Sequence, residues 1–190
     1  GGRSRQSLLK EFGDLFNFSF KGRPNLTTPK SEEPFLSQFA VAAQAAHDAS
    51  GGTRPLYLVG HSFGSRAAAH LLTRAELRSK LPNKYCGVIA FGYPLLHPVQ
   101  KRERKLMELP PETRMLFISG SRDSFMGDFK KLRKTLLRSA SGRHSMVVKV
   151  EGGDHGLACA ASQEDAAVKT IREAVGDFLR KAKMHDTATP

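Results

Sequence analysis

The chain has 190 residues, 39% of them hydrophobic and 25% charged, which fits one globular domain with a core of ordinary size. No apolar run approaches the roughly 18–20 residues that cross a bilayer, and no apolar stretch follows Arg3 and Arg5 as in a signal peptide, so the expectation is a cytoplasmic chain without a membrane span. A net charge of +12 would suit an anionic partner, yet no zinc-finger spacing, RNP-like segment or aromatic-interleaved basic stripe accompanies it, and no specific nucleic acid is expected.

In chain order, residues 8–12 read as the end of a helix, and residues 15–20 alternate apolar and polar like a strand. Residues 21–33 carry Pro, Thr and charge and read as a loop, whereas the alanine-rich stretch 35–48 reads as a helix. A short apolar run bounded by Gly and Pro, 55–59, predicts a buried parallel strand. A helix over 65–79 follows, with Ala68, Leu71, Leu72 and Ala75 on one face. Residues 86–91 predict a second strand ending at Gly92-Tyr93-Pro94, and 97–111 a basic loop with a short helix. The third strand is 115–118, followed by a helix with Phe125, Phe129, Leu132 and Leu136 at helical spacing. The fourth strand is 145–150, and the last helix carries Ala167, Ile171, Val175 and Phe178 on one stripe. The domain then closes at about residue 184, before a polar tail over 185–190. Strands separated by helices imply α/β architecture, a mostly parallel sheet covered on both faces. Cys86 and Cys159 lie outside any metal spacing and are expected to be reduced thiols.

The chemistry concentrates at Gly60-His61-Ser62-Phe63-Gly64, between a predicted strand and a predicted helix. That is the pattern of a nucleophile elbow, where a tight turn lifts a serine to the tip of a strand and to the start of a helix. Flanking glycines are expected because side chains there would strike the neighbouring strand and helix. A serine hydroxyl needs a base, and the base an orienting acid. In this architecture acid and histidine follow in that order, each beyond the C-terminal end of a later strand. Asp123 follows the third strand and His155 the fourth. Asp128, placed on the helix, is the weaker acid candidate, and Asp154 reads as structural. His61, Tyr93 and His97 are expected to line the pocket, while His47, His144 and His185 read as surface residues.

Four segments together give a resemblance: 58–68 around the elbow, Gly92-Tyr93-Pro94-Leu95-Leu96-His97-Pro98, 117–123, and Gly153-Asp154-His155. They resemble the KANL3/testis-expressed protein 30 family of small, dienelactone-hydrolase-like α/β-hydrolases. The likeness runs from about Leu15 to Leu179. It implies an α/β-hydrolase fold, a Ser62–Asp123–His155 triad, and the backbone N–H of Phe63 as one oxyanion donor. The family's sheet has a strand beside the elbow strand, ending in a His-Gly-rich loop that supplies the second donor. Here the N-terminal strands are expected to be missing, with Gly1-Gly2 as the stub of that loop. The expected activity is that of an esterase- or thioesterase-like serine hydrolase on a small-molecule acyl substrate, without metal or organic cofactor. The alternative is a catalytically inactive interaction protein that keeps the hydrolase fold. The oligomeric state is not specified by the sequence.

Overall fold

A computed structural model describes residues 5–22 and 25–186, with side chains through residue 182. Two helices come first, α1 (Arg5–Leu9) and α2 (Pro29–Ala49). They are followed by β1 (Leu56–His61), α3 (Phe63–Thr73), α4 (Ala75–Arg78) and β2 (Tyr85–Phe91). The chain continues through α5 (Glu103–Met107), β3 (Met115–Gly120), α6 (Phe129–Arg138), β4 (Met146–Val150) and α7 (Glu164–Asp186). The strands form one parallel four-stranded sheet in the order β1-β2-β3-β4. β3 is buried at every position, the outcome expected of an apolar run inside a sheet covered on both faces. On one face Leu36, Leu71, Leu72, Leu77, Leu106 and Leu132 from α2 to α6 pack on Val88, Ala90 and Phe117. On the other, Leu8 and Leu9 of α1 join Ile171, Val175 and Phe178 of α7 over Ile89, Phe91, Leu116 and Ile118. The α7 stripe of Ala167, Ile171, Val175 and Phe178 is buried as its spacing predicts.

The structure corrects several local expectations. Residues 15–20 form no strand. Among the described residues β1 is the sheet edge, and its registered partner is β2 alone; an alternating segment without a hydrogen-bonding neighbour does not become a strand. Its aromatic rings serve another purpose: Phe20 meets Phe35, Phe39 and Phe63 edge-on, and Phe18 stacks on Phe39. α2 begins inside the stretch read as a loop, because Thr28 accepts the N–H of Ser31, Ser31 Oγ accepts the N–H of Thr28, and Pro29 sits in the first turn. The helix expected over 65–79 starts at Phe63 and breaks at Arg74, whose backbone is extended at φ −99 and ψ 102. Phe125 stands outside α6, which starts after Asp128 accepts the N–H of Lys130. α7 runs through Asp186, and 187–190 lie outside the described residues.

Candidate active site

Ser62 follows β1 directly, with φ 51 and ψ −109, and stands as the residue before α3. A serine with positive φ costs on the order of 1–3 kcal/mol, and such strain collects at functional turns. The N–H of Ser62 donates to the Phe91 carbonyl at 3.0 Å, so β2 holds the turn in place. A Cβ on Gly60 would lie 2.3 Å from the Gly64 carbonyl carbon and 2.4 Å from Ser65 N, which leaves room there only for glycine. Gly64 itself has no atom within 4 Å of an added Cβ; of the two flanking glycines, crowding demands only the first. Phe63 opens α3, so its N–H lacks an intrahelical acceptor and faces outward at the positive end of the helix dipole.

Asp123 and His155 come together. His155 Nδ1 lies 3.0 Å from both carboxylate oxygens of Asp123. The Asp123 side chain is fully enclosed, while that of His155 is 23% exposed. An Nδ1–H donor toward the carboxylate leaves Nε2 as the acceptor on the outer side of the ring. Asp123 Oδ1 also accepts the N–H groups of Phe125 at 2.9 Å and Met126 at 3.2 Å, so the loop after β3 fixes the carboxylate. Asp128 is accounted for as the cap of α6.

The two loops that carry acid and histidine are joined. Ser121 N–H donates to Val150 O at 2.9 Å, and Arg122 N–H to Gly153 O at 2.8 Å. Asp154 Oδ1 accepts the N–H groups of Gly156 at 2.8 Å and Ala158 at 2.9 Å, closing the turn that presents His155. This matches the structural role read for Asp154. Arg5 of α1 donates to the Gly156 carbonyl at 3.3 Å, bracing the same turn from outside. Gly92 adopts φ 51, and a Cβ there would lie 2.8 Å from His155 O and 3.2 Å from its Nδ1.

The expected pocket residues separate. His61 is half-buried, with its ring 4.9 Å from that of His155, and its Nε2–H donates to the His155 carbonyl at 2.9 Å. Burial chiefly pushes its pKa down. It also lines a cleft of about 180 Å3 with Arg5, Leu9, Val59 and Phe91, between α1 and the outer edge of β1. Tyr93 is fully buried, edge-on to Phe117, and burial pushes its hydroxyl up to about 12; it is a core residue beneath the loop after β2. His97 is exposed and accepts the N–H groups of Val99 and Gln100 through Nδ1. Of the three histidines read as surface residues, His47 is buried, His144 half-buried, and the His185 side chain lies outside the described residues. Sequence reasoning missed Gly92 and Phe125, whose ring centroid lies 4.6 Å from that of His155. Among the described residues, no group of three or more His, Cys, Asp or Glu side chains gathers as a metal site, and no helix is long and apolar enough to cross a membrane. Cys86 and Cys159 form no disulfide and are half-buried.

A family model described as an alpha/beta hydrolase domain matches residues 14–183. No curated protein matches the sequence. Among solved structures, the chain is similar to an alpha-beta serine hydrolase homologue from Coxiella burnetii, with a TM-score of 0.55 and 16% identity over 92% of this chain and 72% of that one. At that identity the likeness concerns the fold.

Proposed function

The chain belongs to the alpha/beta hydrolase domain family, and on that premise we propose that it is a serine hydrolase that cleaves an ester-like acyl substrate through an acyl-enzyme on Ser62. The narrower kinship with the KANL3/testis-expressed protein 30 family is part of the same proposal. The observation that carries the reading is the Asp123–His155 hydrogen bond at 3.0 Å, in a site whose serine sits in a positive-φ turn at a helix start.

In this mechanism His155 Nε2 takes the Ser62 hydroxyl proton as Oγ bonds to the substrate carbonyl carbon. The carbonyl electron pair moves to oxygen, and the Phe63 N–H donates to that oxyanion. Collapse expels the alcohol or thiol, which receives the proton from His155. Water, deprotonated by the same nitrogen, then releases the acid and restores Ser62. Asp123 accepts from Nδ1–H throughout and holds the ring tautomer.

Labelling with a fluorophosphonate probe tests the reading, since the probe bonds to an activated serine and ignores an inert one. The expected outcome is covalent labelling of the wild-type chain that Ser62→Ala abolishes while the circular dichroism spectrum is retained. Labelling that persists in Ser62→Ala would move the nucleophile elsewhere. A folded wild-type chain that takes no label would replace this reading with that of an inactive interaction protein.

A further inference from the structure

We propose that Arg66 and Arg102, beneath the loop 94–102, form an oxyanion-recognition site beside Ser62 that takes a carboxylate or phosphate group carried by the substrate. The substrate class is then an ester or thioester with an anionic group on its acyl or alcohol part, and this rests on the serine-hydrolase reading above.

The argument begins with a charge that has no counter-charge. Arg66 is 8% exposed, and its Nε is enclosed without a hydrogen-bond partner. Its Nη2 donates to the amide oxygen of Gln100 at 3.1 Å, and Nε of Arg102 donates to that same oxygen at 3.3 Å. Arg102 is held in place from behind, with Nη1 donating to the carbonyls of Pro94 at 2.8 Å and Leu96 at 3.1 Å. Among the described residues, neither guanidinium has a carboxylate within ion-pair distance. The acid on the same segment, Glu103, pairs with Lys131 at 3.6 Å instead. Burial lowers both arginine pKa values, and Arg66 further lowers that of Arg102. Of the other groups facing them, the Tyr93 hydroxyl stays protonated, and the positive charge of the arginines adds to burial in lowering the pKa of His97 and, from Arg66, of His70.

Buried cations are ordinarily paired, because an uncompensated one carries its full desolvation cost. Two guanidiniums converging on one neutral amide oxygen have the geometry for an anionic oxygen, for which their planar donors are suited. Gln100 therefore stands in for the ligand. It is half-buried and borders the exposed residues His97, Pro98 and Val99, so the stand-in lies at the outer end of the site. Two backbone links place the segments that carry the cluster beside Ser62 and, through Phe125, beside His155. The N–H of Arg66 donates to the carbonyl of Ser62 itself at 3.3 Å, and Leu96 N–H donates to the carbonyl of Phe125 at 2.8 Å. Leu96, Val99 and Phe125 are exposed apolar side chains on the same segments, a surface for the apolar part of such a substrate.

The test has a binding arm and a turnover arm, both on the full chain. In the first, succinate and inorganic phosphate are titrated and followed by NMR shifts of the arginine side chains. Wild type is expected to bind one of the two more tightly, which identifies the anion, and Arg66→Gln to weaken it by about tenfold, the worth of one charge-assisted hydrogen bond. Gln100→Glu supplies a carboxylate from within and is expected to abolish binding while raising the melting temperature. In the second arm, kcat/KM for a monoanionic nitrophenyl succinate is divided by that for a neutral nitrophenyl butyrate. Arg66→Gln is expected to lower the ratio about tenfold, through KM. No anion binding by wild type, or binding unchanged in both Arg66→Gln and Gln100→Glu, overturns the site even where the fluorophosphonate labels Ser62. Anion binding by a chain that takes no label sustains the site and sinks the hydrolase reading alone.

Discussion

Asp123 serves two masters, since one oxygen holds the backbone of Phe125 and Met126 while the carboxylate as a whole faces His155. Asparagine preserves the first role and reverses the second, because its NH2 would donate to Nδ1 and drive the ring into the other tautomer. Asp123→Asn is therefore expected to keep the unfolding free energy within about 1 kcal/mol of wild type and to lower kcat by about 10^4. Steady-state kinetics beside a thermal melt checks this, and a nearly active Asp123→Asn would remove Asp123 from the mechanism. Gly92→Ala makes a related point, with its Cβ 2.8 Å from His155 O. It is expected to displace the histidine and to lower activity, with the positive φ of the position adding a loss of stability. At this scale much was legible: the order of Ser62, Asp123 and His155 along the chain, each at a strand end, follows from motif and alternation. The role of Gly92 was not, because it depends on the Cβ distance to a residue sixty-three positions away in sequence. Tyr93 was misread as pocket-lining for a like reason, since only the packing on Phe117 shows which side of the loop it faces.

Among the elements, α2 is fastened to α3 by a buried polar contact. His70 Nδ1 lies 2.7 Å from Glu32, which also accepts from Arg74 at 3.2 Å. Arg74 in turn reaches Glu33 and Glu76, so one guanidinium at the α3–α4 break holds three carboxylates. Burial is the largest influence on His70 and lowers its pKa, with Lys105 and Arg66 acting the same way against Glu32. The folded chain thus binds a proton on His70 less readily than the unfolded chain does. Stability from this source is present above the unfolded value of about 6.5 and falls as pH drops below it, by at most about 1.4 kcal/mol per pH unit. His70→Gln, which keeps a hydrogen bond to Glu32, is expected to flatten the melting temperature between about pH 6.5 and 5; an equally steep loss in the variant would assign it to other groups. The elements also show where alternation misleads. Residues 15–20 carry a strand's pattern without a strand's partner, and pairing is a property of the sheet rather than of the segment. Helix existence was legible from the 3.6-residue stripe, whereas the starts at Phe63 and Pro29 were set by the elbow and by the Thr28 cap.

For the molecule as a whole, the net charge of +12 raises the question of a polyanionic partner. The layering of the fold answers part of it. On α6, Leu132, Thr135 and Leu136 are buried against the sheet, and Lys130, Lys131, Arg133 and Lys134 are exposed. These cations form the solvent face of a packed helix, with Lys131 drawn toward Glu103 at 3.6 Å. Of the basic residues between 101 and 105, Arg102 is committed to the carbonyls of Pro94 and Leu96, and Lys105 pairs with Glu108 at 2.9 Å. That leaves a short stripe with few cations free to meet phosphates at once. Binding through a few phosphates loses affinity with a log–log salt slope of roughly 0.9 per contact. The expectation is weak, sequence-independent binding to duplex DNA that disappears near physiological ionic strength, read by fluorescence anisotropy across a salt series. Replacing Lys130, Arg133 and Lys134 with glutamine is expected to reduce both affinity and slope and to leave fluorophosphonate labelling of Ser62 unchanged, since these exposed side chains of α6 take no part in the Asp123–His155 hydrogen bond. Tight binding that resists salt and depends on sequence would instead make the α6 stripe a recognition surface, with hydrolysis secondary to it.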